Sequence, residues 1–251
     1  MNRLNNKVAV VTGASKGIGA AIARYFAEEG AKVVVNYATS KEGADKVVKA
    51  IEGNGGTAIS VQGDVSNEAD VTRLFEETKN AFGTLDILVN NAGIYQYQPI
   101  ENVTAETFHL QFNINVLGSV LAIQGSLKLF GDKGGNIINI SSEAGKTPLP
   151  TGSVYSATKA ALDAITISLS KEFSGRNIRI NSILPGVVET EGSTSAGFIG
   201  SETETKLVAS TPLGRTGLPD DIAKVAVFLA SDDAAWITGE KISVSGGIYG
   251  L

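Results

Sequence analysis

Short, unbroken runs of β-branched and aliphatic residues recur along this chain, each separated from the next by a stretch long enough for a helix. The runs fall at residues 8–11, 33–36, 58–61, 85–89, 136–140, 178–183 and 241–244. They are apolar with little alternation, the pattern of strands buried on both faces. Between them the apolar period changes toward 3.6, as with Ile22, Ala23, Phe26 and Ala27 before Gly30. Further helices are predicted over residues 41–52, from an N-cap at Ser66 to Gly83, over 104–130, over 155–173 and over 220–230. Strands joined by such long connections cannot form hairpins and must pair in parallel through crossovers. Right-handed crossovers then wind helices onto both faces of the sheet.

The expected fold is therefore α/β: a single doubly wound, Rossmann-type parallel sheet of about seven strands with helices on both faces. No repeat, low-complexity tract or linker divides residues 1–251, so one domain is predicted, with a looser polar segment at 189–211. Composition then narrows the chemistry. There is no cysteine and one histidine, His109, which removes disulfides, thiolate nucleophiles and zinc clusters, so no metal is expected. The net charge of −5 argues against a nucleic-acid partner. No apolar run reaches the ~18 residues of a membrane span, and residues 1–7 lack a hydrophobic signal core, so a cytoplasmic location is expected. Catalysis is left to Tyr, Lys, Ser, Asn, carboxylates or a cofactor.

In a doubly wound sheet, ligands lie beyond the carboxyl ends of the strands. The unusual residues of this chain fall there. Strand one runs into Thr12-Gly13-Ala14-Ser15-Lys16-Gly17-Ile18-Gly19 and then a helix, a context in which bare N–H groups and a helix N-terminus face an anion. Its spacing, G-x-x-x-G-x-G, differs from G-x-G-x-x-G. Asn36 follows strand two, Asp64 and Val65 strand three, Asn90-Asn91-Ala92-Gly93 strand four, Ser142 strand five and Pro185-Gly186 strand six. Tyr155 and Lys159 lie one helical turn apart on one face. An ammonium there favours the phenolate and is expected to lower a phenol pKa that is normally near ~10.

With these motifs in order, the sequence resembles the short-chain dehydrogenases/reductases from Lys7 to Gly247. The resemblance rests on residues 12–19, Asn90-Asn-Ala-Gly93, Asn115, Ser142, Tyr155-x-x-x-Lys159 and Pro185-Gly-x-x-x-Thr190. It implies hydride transfer between a nicotinamide and a ketone or secondary alcohol, with Tyr155 as general acid/base. Ser142 would bind the substrate oxygen, Lys159 the ribose hydroxyls, and Asn115 a water that relays protons. Thr190 and the backbone near Val188 would orient the carboxamide. Asp64 and Val65 would meet the adenine, and Asn91, Ala92 and Gly93 the adenosine side or strand four itself.

NADPH is the expected cofactor, with NADH as the alternative. Asn36 is uncharged where NAD-preferring relatives place an acid, and Lys16, Thr39 and Ser40 supply a cation and donors for a 2′-phosphate. Tyr95, Tyr97, Leu149, Phe198 and Ile199 are expected to wall the substrate, with Glu143 facing water. A small-molecule ketone is the first substrate reading. A sugar or polyol, a 3-oxoacyl group on a carrier protein, and a catalytically silent NADP-binding scaffold stand as alternatives. The resemblance also implies a homotetramer, consistent with the small residues Ala157, Ala160, Ala161 and Ala164 on one helix.

Overall fold

The computed structural model describes residues 2–195 and 197–248. Among these residues seven strands form one sheet in the order β3-β2-β1-β4-β5-β6-β7, and every neighbouring pair is parallel. These are β1 (Val8–Val11), β2 (Lys32–Tyr37), β3 (Thr57–Gln62), β4 (Ile87–Asn90), β5 (Gly135–Ile140), β6 (Ile178–Pro185) and β7 (Lys241–Val244). The helices are α1 (Gly17–Glu28), α2 (Lys41–Gly53), α3 (Glu68–Phe82), α4 (Ala105–Phe112), α5 (Gly118–Leu127), α6 (Ser153–Glu172), α7 (Glu191–Ser195), α8 (Glu202–Ala209) and α9 (Pro219–Ala230). From β1 the chain winds outward to β3, then returns to place β4 on the other side of β1. That reversal opens a crevice between the ends of β1 and β4, where such sheets bind ligands.

Strand alternation explains the continuous apolar runs. Ala9 and Val11 of β1 pack with Ile22, Phe26, Ile222 and Val227 on one face. Val8 and Val10 pack with Leu74, Phe75, Ile123 and Phe173 on the other. Full burial of side chains such as Phe26 is worth about 1.5–3 kcal/mol each, so a one-residue slip, which exchanges the two faces, is strongly disfavoured. No helix among the described residues is long and apolar enough to cross a membrane.

Three expectations need correction. The helix over 104–130 is interrupted by a π-helical turn, Asn113–Leu117, between α4 and α5, and α5 stops at Leu127. Gly118 directly follows this turn, and a Cβ there would stand 3.0 Å from the Cβ of Val65, so the chain passes too close for a larger residue. Ser66 does not cap α3. The cap is Asn67, whose Oδ1 accepts from the N–H groups of Ala69 and Asp70 at 2.9 and 3.1 Å, while the Ser66 hydroxyl bonds Asp64. The polar segment 189–211 carries two short helices, α7 and α8.

Candidate active site

The glycine loop after β1 is held by its neighbours' side chains. Thr12 Oγ1 accepts the N–H groups of Asn91 and Ala92, both at 3.0 Å. Asn91 Nδ2 donates to the carbonyls of Thr12 and Gly13 at 2.9 and 3.0 Å. Asn36 Oδ1 accepts from the Gly13 N–H at 3.2 Å, and its Nδ2 donates to Val61 and Gly63 carbonyls at 3.3 and 3.0 Å. Gly13 and Gly17 sit at φ +60° and +57°, the left-handed region glycine tolerates. A Cβ on Gly19 would overlap Asn91 Nδ2 and lie 2.8 Å from the Gly13 carbonyl oxygen. Asn91 and Asn36 are thus braces.

For Asn36 this revises the sequence reading. β2 runs on to Tyr37, and strand alternation turns the Asn36 side chain inward, 1% exposed, rather than toward a ribose. The exposed residues at this end are 38–40, including Thr39 and Ser40. They come close to the loop because a Cβ on Gly43 of α2 would stand 2.7 Å from both the Ser15 carbonyl and Ser40 Oγ. Lys16, next to Ser15, is exposed. Asp64 is committed to its own turn, accepting from Ser66 N–H and hydroxyl at 2.9 and 2.7 Å. Val65 is buried against Gly118.

α1 opens at Gly17 with no side-chain cap from Lys16. The Gly17 N–H instead donates to the carboxylate of Glu191 at 3.0 Å. An anionic group thus already rests at this helix N-terminus, as its dipole and unpaired N–H groups favour. Left-handed glycines, a helix start facing a carboxylate and a nearby exposed lysine fit the diphosphate of a dinucleotide. Thr190, at the start of α7, lies over the same loop: a Cβ on Gly17 would be 3.4 Å from its Cγ2. Thr190 Oγ1 accepts from the Ser193 N–H at 3.1 Å. Val188 is buried and bridges Gly217, and Pro185-Gly186 carry β6 into this turn.

The π-turn places Asn115 between β4's end and α6. Its Oδ1 accepts from Ile94 N–H at 2.8 Å, and its Nδ2 donates to the Ile94 carbonyl at 2.8 Å and to Thr158 Oγ1 at 3.0 Å. A Cβ on Gly93 would lie 3.3 Å from Asn115 Oδ1 and 3.6 Å from Lys159 Nζ, so this glycine keeps the crevice open.

α6 presents Tyr155 and Lys159 toward Ser142, the N-cap of the 3-10 turn Glu143–Gly145 that follows β5. Ser142 Oγ accepts from the Ala144 N–H at 3.1 Å, and the Ser142 hydroxyl is the polar group that favours an ionised Tyr155. Lys159 is buried, its Nζ donating to the Ile140 carbonyl at 2.9 Å and standing 5.8 Å from the Tyr155 ring centroid. The expected lowering of the Tyr155 pKa does not occur here. Desolvation pushes the phenol up, the Ser142 hydroxyl opposes this only in part, and the Lys159 ammonium is turned to a backbone carbonyl. Burial pushes Lys159 down to about 8.

The substrate side is a wall of tyrosine rings. The Tyr97 centroid lies 5.7 Å and the Tyr95 centroid 6.2 Å from that of Tyr155, and 6.1 Å from each other. Tyr95 and Tyr97 are 45% and 47% exposed, so half of each ring is left to a ligand. Leu149 is exposed beside them in chain order with Gly152, where a Cβ would meet the Tyr97 ring at 2.9 Å. Phe198 and Ile199 are half-buried between α7 and α8. Glu143 corrects another expectation: it is buried, because the 3-10 turn tucks it inward. Sequence reasoning missed Glu191 on the glycine loop and Asp163, which lies one turn past Lys159 on the same face of α6. The i, i+4 spacing was the available signal for the latter.

The comparisons with known proteins agree with this geometry. A family profile described as enoyl-(acyl carrier protein) reductase matches residues 13–249. An uncharacterized oxidoreductase of Methylorubrum extorquens is 56% identical over 248 residues, covering 99% of this chain and all of the relative. Versicolorin reductase of Emericella nidulans is 39% identical, covering 98% of this chain and 97% of its own. Among solved structures, the angucycline C-6 ketoreductase LanV with bound NADP has a TM-score of 0.92 at 38% identity, covering 98% of this chain and 97% of that one. A short-chain dehydrogenase/reductase of Serratia marcescens gives 0.92 at 33% identity, covering 98% and 99%. The chain belongs to the short-chain dehydrogenase/reductase family. It is an NAD(P)H-dependent oxidoreductase acting on carbonyl and hydroxyl groups.

Proposed function

We propose that the protein reduces a flat, aromatic or conjugated ketone to a secondary alcohol with NADPH. The observation that carries this reading is Tyr155, presented by α6 beside Ser142 and facing two half-open tyrosine rings at 6.2 and 5.7 Å. The cofactor supplies a hydride when bound. Ser142 and Tyr155 donate hydrogen bonds to the substrate oxygen and stabilise the charge that develops on it. Tyr155 then gives up its proton to that oxygen, completing the alcohol. Lys159 holds the ribose hydroxyls and places positive charge beside the phenolate that forms. Asn115 fixes the Ile94 peptide and Thr158 behind them, the position from which a water would return the proton.

The loop formed by Gly13, Ser15, Gly17, Ile18 and Gly19 holds the diphosphate through backbone N–H groups. Lys16, Thr39 and Ser40 meet the 2′-phosphate, Asp64 and Val65 the adenine, and Thr190 and Val188 the carboxamide. The aromatic walls favour an aryl ketone over a sugar, in keeping with the versicolorin and tetrahydroxynaphthalene reductases among the relatives. The α7–α8 segment serves as the substrate lid. A homotetramer is supported by Ala157, Ala160, Ala164 and Ile167, all exposed along α6; a monomer in sedimentation would contradict it. A cytoplasmic location goes with the same reading and with a chain that lacks cysteine; cell fractionation tests it.

The test is NADPH oxidation with an aryl ketone such as tetralone, an aldose and an acyl thioester. Turnover is expected with the ketone, with kcat/KM for NADPH above that for NADH. Equal or better use of NADH, or no turnover with any of the three, would overturn the proposal.

A further inference from the structure

Two carboxyl groups lie inside the protein behind the proposed catalytic residues. Glu143 directly follows Ser142 and is 8% exposed; Asp163 stands one turn beyond Lys159 on α6 and is 5% exposed. Carboxylates are almost never buried this fully unless paired or well hydrogen-bonded. Yet both oxygens of Glu143, and Oδ1 of Asp163, lack a hydrogen-bond partner.

Their surroundings are unequal. Asp163 faces the hydroxyls of Ser141 at the end of β5 and Ser182 in β6, and the charges of Lys159 on α6 and Lys241 on β7. Glu143 faces the Ser243 hydroxyl of β7, which closes no bond on either oxygen, the charge of Lys146 just after its own turn, and Asp163 itself. Lys146 and Lys241 are exposed, so their charges are screened by solvent. Lys159 is the buried cation of the set. Two ionised carboxylates here would repel each other where few groups compensate either. One proton relieves both problems, and the poorer surroundings of Glu143 place it there.

We propose that Glu143 and Asp163 hold one proton between them, Glu143 carrying it, and that ionised Asp163 is the counter-charge that keeps the Lys159 ammonium charged. Asp163 is then a positioning residue acting through Lys159, and Glu143 is the acid that lets a single negative charge persist there. The directions of titration agree. Burial raises both carboxyls, while Lys159 is lowered by burial and Asp163 alone opposes that fall. The functional consequence rests on the role given to Lys159 above, but the test needs neither cofactor nor substrate.

Two measurements on the full chain decide it. Infrared spectroscopy of the wild type at neutral pH should show the stretch of a protonated carboxyl, absent in Glu143→Gln. NMR titration of 13C-labelled lysine side chains, with Lys159 assigned by the signal lost in Lys159→Met, should give a wild-type midpoint near the value of about 8 set by burial. In Asp163→Asn that midpoint should fall by about one pH unit or more, as expected for loss of an adjacent opposite charge. A merely structural Asp163 would leave it in place. If Asp163→Asn does not fold, the infrared band of the wild type and its loss in Glu143→Gln still decide the shared proton. No protonated carboxyl at neutral pH, or an unmoved Lys159 midpoint in folded Asp163→Asn, overturns the proposal. Absence of ketone turnover would count against the proposed function and leave these two readouts standing.

Discussion

The two sides of the crevice are built in opposite ways. On the cofactor side, polar side chains bond to the backbone of the glycine loop and of the strand ends beside it: Thr12, Asn36 and Asn91 each make at least two side chain–backbone hydrogen bonds. Left-handed backbone there is given to glycine, at Gly13 and Gly17. On the substrate side, Tyr95 and Tyr97 stand half open, and Thr151 carries φ +63°, a strained value for a β-branched residue. The difference teaches that the cofactor site is fixed in shape before binding, while the substrate site keeps unsatisfied surface that a ligand must complete.

Substitutions on the two sides should therefore fail differently. Gly19→Ala forces a methyl group against Asn91 Nδ2 and the Gly13 carbonyl. Overpacking of this kind costs about 1–3 kcal/mol, so NADPH affinity by fluorescence titration should drop by about tenfold or more, with thermal stability lowered as well. Unchanged affinity would mean the loop is not prebuilt. Tyr97→Leu removes an aromatic wall worth about 0.5–1.5 kcal/mol beyond its buried area. KM for an aryl ketone should rise about three- to tenfold while the NADPH dissociation constant holds. A weaker NADPH complex in this variant would erase the distinction between the sides. Lys16→Ala removes an exposed charge, with an effect of about 0.2–1 kcal/mol. kcat/KM should fall about two- to fivefold for NADPH and stay level for NADH. Equal losses would show that Lys16 does not read the 2′-phosphate.

Much of this was legible in the sequence because parallel strands buried on both faces must be continuously apolar, which marks β1 to β6 plainly. The glycine loop was legible for the same reason: it sits where a strand meets a helix. Asn36 was misread because its role depends on which face of β2 it occupies, and the strand's true end lay one residue further on. Ser66 and Asn67 are neighbouring residues, both competent caps, and only the geometry of the Asp64 turn separates them. The π-turn at Asn115 inserts a residue without leaving a mark in the apolar period. Burial of Glu143 and the upward push on Tyr155 depend on what packs from β6, β7 and the tyrosine wall, which residue spacing alone cannot supply.

The central claim is that Tyr155 delivers the proton of ketone reduction while the cofactor side stands independently of it. Measuring Tyr155→Phe tests this most directly, with NADPH binding by fluorescence and ketone-dependent NADPH oxidation followed on the same preparation. The account predicts wild-type NADPH affinity and a loss of turnover of about 10²–10⁴-fold, the scale of a missing general acid. Turnover within a few-fold of wild type would contradict it.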